Sequence, residues 1–120
     1  MLLLLAFGGC REHEAEAAKG IYRDAYSLFR NQHYKEALDR AAQGLQRAGT
    51  NSDLYWNFRL LQVEILLGER EAVNARKALN FELPPKARTP RNLSRYLLCQ
   101  GFIASLLQDN KEAGSRLAAA

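Results

Sequence analysis

Tyr34-Lys35-Glu36-Ala37-Leu38 begins with a bulky residue and continues with Glu-Ala, and two related stretches follow it in the chain. They are Arg70-Glu71-Ala72-Val73 and Asn110-Lys111-Glu112-Ala113. Each stretch comes after a segment with helical periodicity and a short polar break. Ala37 and Ala72 are 35 residues apart, and Ala72 and Ala113 are 41 residues apart. A motif that returns at such an interval is typical of helical repeat proteins, so we expect tandem units of similar structure.

Apolar residues recur with the period of an α-helix through most of the chain. In the first predicted helix, Ile21, Ala25 and Leu28 fall at i, i+4 and i+7, which places them on one face. Two further segments, 53–67 and 91–108, are apolar nearly all round. A helix of this kind is buried on all sides, and stacked helical units bury their inner helices in this way.

Composition and local signals favour a chain of one helical domain. The 120 residues contain three prolines, at positions 84, 85 and 90, so long segments are free to be helical. Asn51, Ser52 and Asp53 offer N-terminal caps for a third helix, and Thr89-Pro90 offers a cap followed by proline at the first helical position. The net charge of +4 is mild and spread along the chain, so we expect no nucleic-acid partner.

The repeated pattern resembles the tetratricopeptide repeat, in which helices A and B form an antiparallel hairpin. The first repeat matches residues 18–51, with Ala25 at the small position of helix A and Ala37 at the close-packing position of helix B. Further repeats are placed near 53–80 and 91–120, and the register of the second is open by up to about three residues. The resemblance implies an all-α fold whose helical hairpins stack as a short right-handed α-solenoid of about three repeats.

The same resemblance implies a binding site, because repeats of this family bind a peptide or a partner helix in a concave groove that their A helices line. Transfer of the repeat positions gives these groove residues: Lys19, Tyr22, Tyr26, Phe29, Arg30, Asn57, Leu61, Glu64, Arg95, Leu98 and Phe102. Tyr22, Tyr26 and Phe29 form an aromatic ridge, which suits recognition because aromatic side chains dominate many binding surfaces. The alternative is that this ridge packs against a B helix or against the N-terminal segment.

Residues 1–10 read MLLLLAFGGC, an apolar run followed by two glycines and a cysteine. This order resembles the end of a bacterial lipoprotein signal peptide, although no Lys or Arg precedes the run. The resemblance implies that Cys10 is lipidated and anchors the protein to a membrane of the bacterial cell envelope, facing the periplasm or in the outer membrane. The repeat domain would then span residues 11–120. The alternative is a frayed apolar terminus on a cytoplasmic protein.

The sequence contains no recognisable catalytic or metal-binding motif. Cys10 and Cys99 lack the spacing of a zinc site, and Cys99 lies on an apolar helix, as an inert buried thiol does. His13 and His33 are both remote from it in sequence. No glycine-rich phosphate loop or serine-nucleophile turn is found. We therefore predict that the protein is not an enzyme and that it uses no metal and no cofactor.

The leading functional prediction is a scaffold that binds a protein or peptide partner, and two alternatives stay open. The first is a regulatory arm of a larger enzyme, because the signal-like start and Trp56–Leu61 resemble the N-terminal repeats of bacterial CHAT-domain proteins. The second is a structural component of an envelope assembly complex. Ala120 falls inside what would be the last B helix, so we expect the repeats to continue C-terminally in a longer protein.

Overall fold

The residues that the structure describes form five α-helices and one short 3₁₀ turn. The computed structural model describes residues 2–50 and 52–119, with side chains for 13–50, 52–112 and 114. The helices are α1 (Leu2–Arg30), α2 (Tyr34–Ala48), α3 (Asp53–Gly68), α4 (Ala72–Ala78) and α5 (Pro90–Ala119), and the 3₁₀ turn spans Pro85–Ala87. No strand occurs among these residues. The predicted all-α fold class is therefore confirmed.

The third helix, α3, lies at the centre of the packing. Each helix contacts the next one in sequence, and α3 also contacts both α1 and α5. Phe58, Leu61 and Ile65 of α3 belong to a buried cluster shared with α1 and α2. Leu60 and Val63, on another side of the same helix, belong to a second cluster shared with α4 and α5. The prediction that the third helix is buried on all sides is confirmed over these positions.

The α1–α2 and α3–α4 hairpins have the same turn. Gln32 and Arg70 both adopt the left-handed backbone conformation, with φ of 65° and 59°. The next amide, that of His33 or Glu71, donates to the carbonyl five residues earlier, at 2.8 and 2.9 Å respectively. This is the hydrogen bond of a Schellman motif at a helix C-terminus. The two hairpins are therefore one structural unit repeated at an interval of 38 residues.

The structural repeat corrects the predicted register of the second hairpin. At an interval of 38 residues, Ala37 corresponds to Ala75, and both side chains are fully buried. Ala72, which the motif had aligned with Ala37, instead begins α4 and corresponds to Tyr34. The sequence alignment was wrong by three residues because the Glu-Ala pair at positions 71 and 72 falls at the cap of α4, whereas the pair at 36 and 37 lies inside α2.

The final segment also differs from the prediction. The structure has a continuous helix, α5, where a hairpin with a break near Asn110 was expected. Gln108 corresponds to Gln32 and Arg70, but its backbone is helical. A left-handed residue costs about 1–2 kcal/mol, and in the other hairpins packing between the two helices offsets that cost. Residues 108–112 are exposed, so packing would not offset the cost of a turn there.

Candidate functional site

Arg95 of α5 is held by two polar side chains of α3. Its Nη1 donates to Asn57 Oδ1 at 3.1 Å, and its Nε donates to Glu64 Oε1 at 3.2 Å. Arg95 Nη2 also donates to Glu64, so Nε and Nη2 together form a bidentate ion pair with this carboxylate. The Arg95 side chain is only 13% exposed and that of Glu64 is 28% exposed. These predicted groove residues therefore meet across two helices, and together they form a half-buried polar cluster.

The positive charge of Arg95 and the negative charge of Glu64 stabilise each other in this cluster. Burial lowers the pKa of the Arg95 guanidinium, but hydrogen bonding and attraction from Glu64, with a smaller contribution from Tyr22, leave that pKa raised above its ordinary value. The guanidinium is therefore permanently charged, and its carboxylate partner compensates the charge. A buried pair of this kind is strongly coupled, because removing one partner leaves the other charge uncompensated.

Cys99 lies beside the same cluster and has an unreactive thiol. Burial, and next the negative charge of Glu64, raise the pKa of Cys99 to about 12, while Arg95 opposes the shift. The thiolate is the nucleophilic form of cysteine, and it is scarce at neutral pH when the pKa is this high. Cys99 is buried and forms no disulfide. These properties agree with the prediction of an inert buried thiol.

The predicted aromatic ridge is partly packed and partly exposed. The ring of Tyr22 is stacked with that of Tyr26 at 6.4 Å between centroids, and it also meets Phe58 of α3 edge-on at 5.2 Å. Phe29 packs against Tyr34 of α2 at 6.2 Å. Tyr26, in contrast, is 44% exposed. The ridge thus contacts a B helix through Phe29, as the alternative predicted, while Tyr26 presents its ring to solvent.

The helices α1, α3 and α5 are neighbours in this fold, because α3 contacts both α1 and α5. Tyr26, Glu64 and Phe102 are spaced by 38 residues, and so are Lys19, Asn57 and Arg95. Phe102 is 48% exposed, and its neighbour Leu98 is 73% exposed. We call the following set the A-helix surface: Tyr22, Tyr26, Asn57, Glu64, Arg95, Leu98 and Phe102. Its exposed apolar side chains border the polar cluster of Arg95.

Two of the predicted groove residues, Leu61 and Lys19, lie elsewhere. Leu61 is fully buried in the cluster with α1 and α2, so its assignment to the groove is wrong. It points into the core because it lies between Phe58 and Ile65 on the face of α3 that α1 and α2 cover. Lys19 pairs with Glu16 at 3.5 Å on the exposed side of α1, and not with Asn57 or Arg95. Arg30, in contrast, is exposed at the end of α1 and lines a shallow hollow together with Tyr22 and Tyr26, so it borders the A-helix surface.

A second aromatic group was not predicted as a site. The group is centred on Phe81, in the loop between α4 and α5. The Phe81 ring lies 5.6 Å from the ring of Trp56 in α3 and 5.8 Å from the ring of Tyr96 in α5, measured between centroids. The guanidinium of Arg59 lies over the Phe81 ring at 4.6 Å. Tyr96 Oη donates to the Phe81 carbonyl at 2.8 Å, which ties the loop before α5 to that helix. The one sequence signal for this group was the aromatic residue at position 56.

Sequence reasoning also missed an exposed apolar face on α5. The predicted fifth helix was expected to be buried on all sides, but Leu97 is 62% exposed and Leu93 is exposed as well. The prediction was wrong because α5 packs on α3 and α4 through one face only, whose buried residues are Cys99, Ile103 and Leu106. Its opposite face has no neighbouring helix among the described residues.

The N-terminal prediction falls largely outside what the structure describes. The backbone of Cys10 belongs to α1, but its side chain lies outside the described residues. None of the helices, over the part of the chain that was described, is both long and apolar enough to cross a membrane. In the same part of the chain, no three histidine, cysteine or acidic side chains are grouped so that they could hold a metal ion.

Comparison with protein-family models, with curated proteins and with solved structures gives no match for this chain. The tetratricopeptide resemblance therefore rests on the residues of the sequence alone.

Proposed function

We propose that this chain is a protein-interaction module of the tetratricopeptide type, in which stacked hairpins form a short right-handed α-solenoid. Its A-helix surface binds a peptide or a short helix of a partner protein. The observation that carries the proposal is the position of Arg95, which Asn57 and Glu64 fix in a row of equivalent A-helix positions. Exposed aromatic residues at the next equivalent positions, Tyr26 and Phe102, flank this cluster.

The spacing of the helices suits an elongated partner. Because α3 contacts both α1 and α5, Tyr26 and Phe102 lie on either side of it. Neighbouring helices pack about 8–10 Å apart, so the two rings border a surface about 18 Å wide. An extended peptide or a single helix, about 10 Å across, fits between them. Leu98, at 73% exposure, adds an apolar contact in the same strip.

The chemistry of the surface favours an apolar partner segment with one polar anchor. Tyr26 and Phe102 supply rigid contact area with little loss of side-chain entropy, which is why aromatic residues are enriched among binding hot spots. Glu64 already balances the charge of Arg95, so the cluster does not demand an acidic partner. The guanidinium is held rigidly, and a partner carbonyl that accepts one of its remaining N–H groups would gain a preorganised hydrogen bond.

One structural feature departs from the family pattern. The interval between the two turns is 38 residues, whereas the tetratricopeptide period is about 34. The longer unit retains the small buried residues that the family pattern requires, since Ala25, Ala37 and Ala41 are fully buried. The proposal therefore concerns a variant repeat with longer helices and the same close helix–helix contact.

Selection from a random peptide library tests the proposal. The immobilised chain is screened with phage that display random 12-residue peptides, and the binding of enriched peptides is measured by fluorescence anisotropy. We expect Tyr26→Ala and Phe102→Ala to weaken binding at least about tenfold. Val73→Ala is the matched control, because Val73 is as exposed as Phe102 but lies on α4. Failure to enrich any peptide, or equal binding by all three variants, would contradict the proposal.

We also propose that Cys10 is acylated and holds the module at a membrane of the bacterial cell envelope. The support is the order of apolar run, two glycines and cysteine at positions 2–10. Expression in a bacterium, followed by mass spectrometry of the mature N-terminus, tests this. Acyl groups on Cys10, lost in Cys10→Ser, are the expected result. An intact Met1 in the soluble fraction contradicts it.

A further inference from the structure

The outer face of α5 carries the apolar residues Leu93, Leu97, Leu98 and Gly101, and the exposed Ser94 and Gln108 lie beside Gly101. Leu97 and Leu98 are 62% and 73% exposed. A Cβ atom added at Gly101 would meet no other atom within 4 Å, so the face is open at its centre. Contiguous apolar surface that is exposed in this way often marks an interaction site.

The fold itself shows what kind of element covers this face. Gly101 corresponds to Ala25 of α1 and Val63 of α3, at successive intervals of 38 residues. Both of those side chains are fully buried, and each belongs to the cluster that its helix shares with the following helix of its hairpin. In α1 and α3 this face is therefore packed against an antiparallel helix. In α5 the helix continues to Ala119, and no described residue lies over the face.

We propose that a second copy of this chain covers the outer face of α5, with the two α5 helices antiparallel and Gly101 facing Gly101 across a two-fold axis. The small residue at the centre allows the helices to approach closely, as alanine does inside each hairpin. Leu97 and Leu98 of each copy then pack beside the crossing point. This interface shares Leu98 with the A-helix surface, but it is centred on Gly101 and does not include Tyr26 or Arg95, so it goes beyond the function proposed above.

Charge complementarity selects the antiparallel arrangement. At 3.6 residues per turn, Arg91 and Asp109 both lie about 80° from Gly101 on the same side of the helix. Both residues are exposed, one near each end of the apolar strip. Antiparallel pairing brings Arg91 of one copy beside Asp109 of the other, twice. Parallel pairing would place these residues on opposite edges of the interface, so neither charge pair would form.

Cysteine cross-linking tests the geometry. In a Cys10→Ser, Cys99→Ala background, Gly101→Cys should form a disulfide-linked dimer under mild oxidation, because a disulfide needs Cα atoms about 4.4–6.8 Å apart. Gly20→Cys is the matched control, since position 20 is equally open but lies on α1. Cross-linking at position 101 and not at position 20, seen on a non-reducing gel, supports the proposal. Equal cross-linking at both positions, or none at 101, overturns it.

Sedimentation of the full chain gives an independent test. The wild type should dimerise as its concentration rises, and Leu97→Asp should raise the dissociation constant at least about tenfold, with an unchanged circular dichroism spectrum. Arg91→Asp and Asp109→Arg should each weaken self-association, whereas an equimolar mixture of the two should form a heterodimer with both charge pairs restored. A wild type that stays monomeric to about 500 µM, well above a weak interface's micromolar range, overturns the proposal. So does a mixture that binds no better than either variant alone.

Discussion

Gly44 of α2 lies against the Phe58 ring of α3 so closely that a side chain at position 44 would overlap the ring atoms. Phe58 is fully buried, and it also meets Tyr22 of α1 edge-on. The ring therefore fills the space that the missing side chain leaves, and it joins three helices at one point.

This contact predicts that Gly44→Ala destabilises the protein. The ring cannot move without disturbing its other neighbours, so we expect a loss of about 1–3 kcal/mol, as is usual for overpacked cores. Thermal or urea unfolding followed by circular dichroism measures it. Gly20→Ala is the control, because position 20 is open and helical; it should gain about 0.5–1 kcal/mol from helix propensity. Equal effects at the two positions would contradict the packing described here.

The ion pair between Arg95 and Glu64 gives a second prediction. Arg95→Ala leaves a half-buried carboxylate without its partner, and we expect a loss of about 3 kcal/mol in the free energy of unfolding. Arg40→Ala is the control, since Arg40 pairs with Asp24 at 2.9 Å on the surface. An exposed pair contributes about 0–1 kcal/mol. Chemical denaturation of both variants at the same salt concentration separates the two cases, and similar losses would show that burial does not strengthen the Arg95 pair.

Cys99 predicts a loss of stability in alkaline solution. Its pKa rises from 9.0 to about 12 on folding, mainly because the thiol is buried. Above pH 9 the unfolded chain gains a thiolate that the folded chain does not have. The stabilising effect of the neutral thiol is thus fully present below pH 9 and is lost progressively up to about pH 12.

The measurement compares the wild type with Cys99→Ala, both carrying Cys10→Ser, by denaturation at pH 8 and at pH 10.5. The wild type should lose about 2 kcal/mol more than the variant over this range, since the other titrating groups are common to both. Parallel pH profiles for the two proteins would show that the thiol ionises as easily in the folded state as in the unfolded state.

The two left-handed residues predict opposite effects of glycine along the chain. Gln32→Gly and Arg70→Gly should each stabilise the protein by about 1 kcal/mol, because glycine adopts a positive φ without the steric cost of a side chain. Gln108→Gly lies at the corresponding position of a continuous helix, so it should lower helix content. Thermal unfolding and circular dichroism measure these effects. A stabilising effect of Gln108→Gly would instead indicate a turn at residue 108.

Sequence patterns predicted those features that depend on neighbours in the chain. The amide of Tyr55 donates to Ser52 Oγ, and the amide of Asn92 donates to Thr89 Oγ1, both at 3.2 Å, as the caps of α3 and α5. Glycine is also the residue that most often follows the end of a helix, and Gly49 ends α2 with a positive φ. Each of these interactions spans only three or four residues, so the local sequence contains the whole signal.

Features that depend on distant contacts were harder to predict. The turns at Gln32 and Arg70 contain no glycine at the left-handed position, so nothing local marks them. Leu61 lies only four residues from Asn57 on a helix that is apolar nearly all round, and its burial depends on which side α1 and α2 occupy. Arg95, Asn57 and Glu64 were predicted to line the same groove, but their direct contact was not predicted. That contact depends on how α5 crosses α3.

The central position of α3 has a consequence for how the molecule unfolds. Its two sides belong to the two buried clusters, so neither hairpin retains a core when the other opens. The chain should lose its structure in one step, with a single calorimetric transition, and not one hairpin at a time. A partner that binds α1 and α5 at the same time would then slow amide hydrogen exchange throughout α3, including at residues that the partner does not contact.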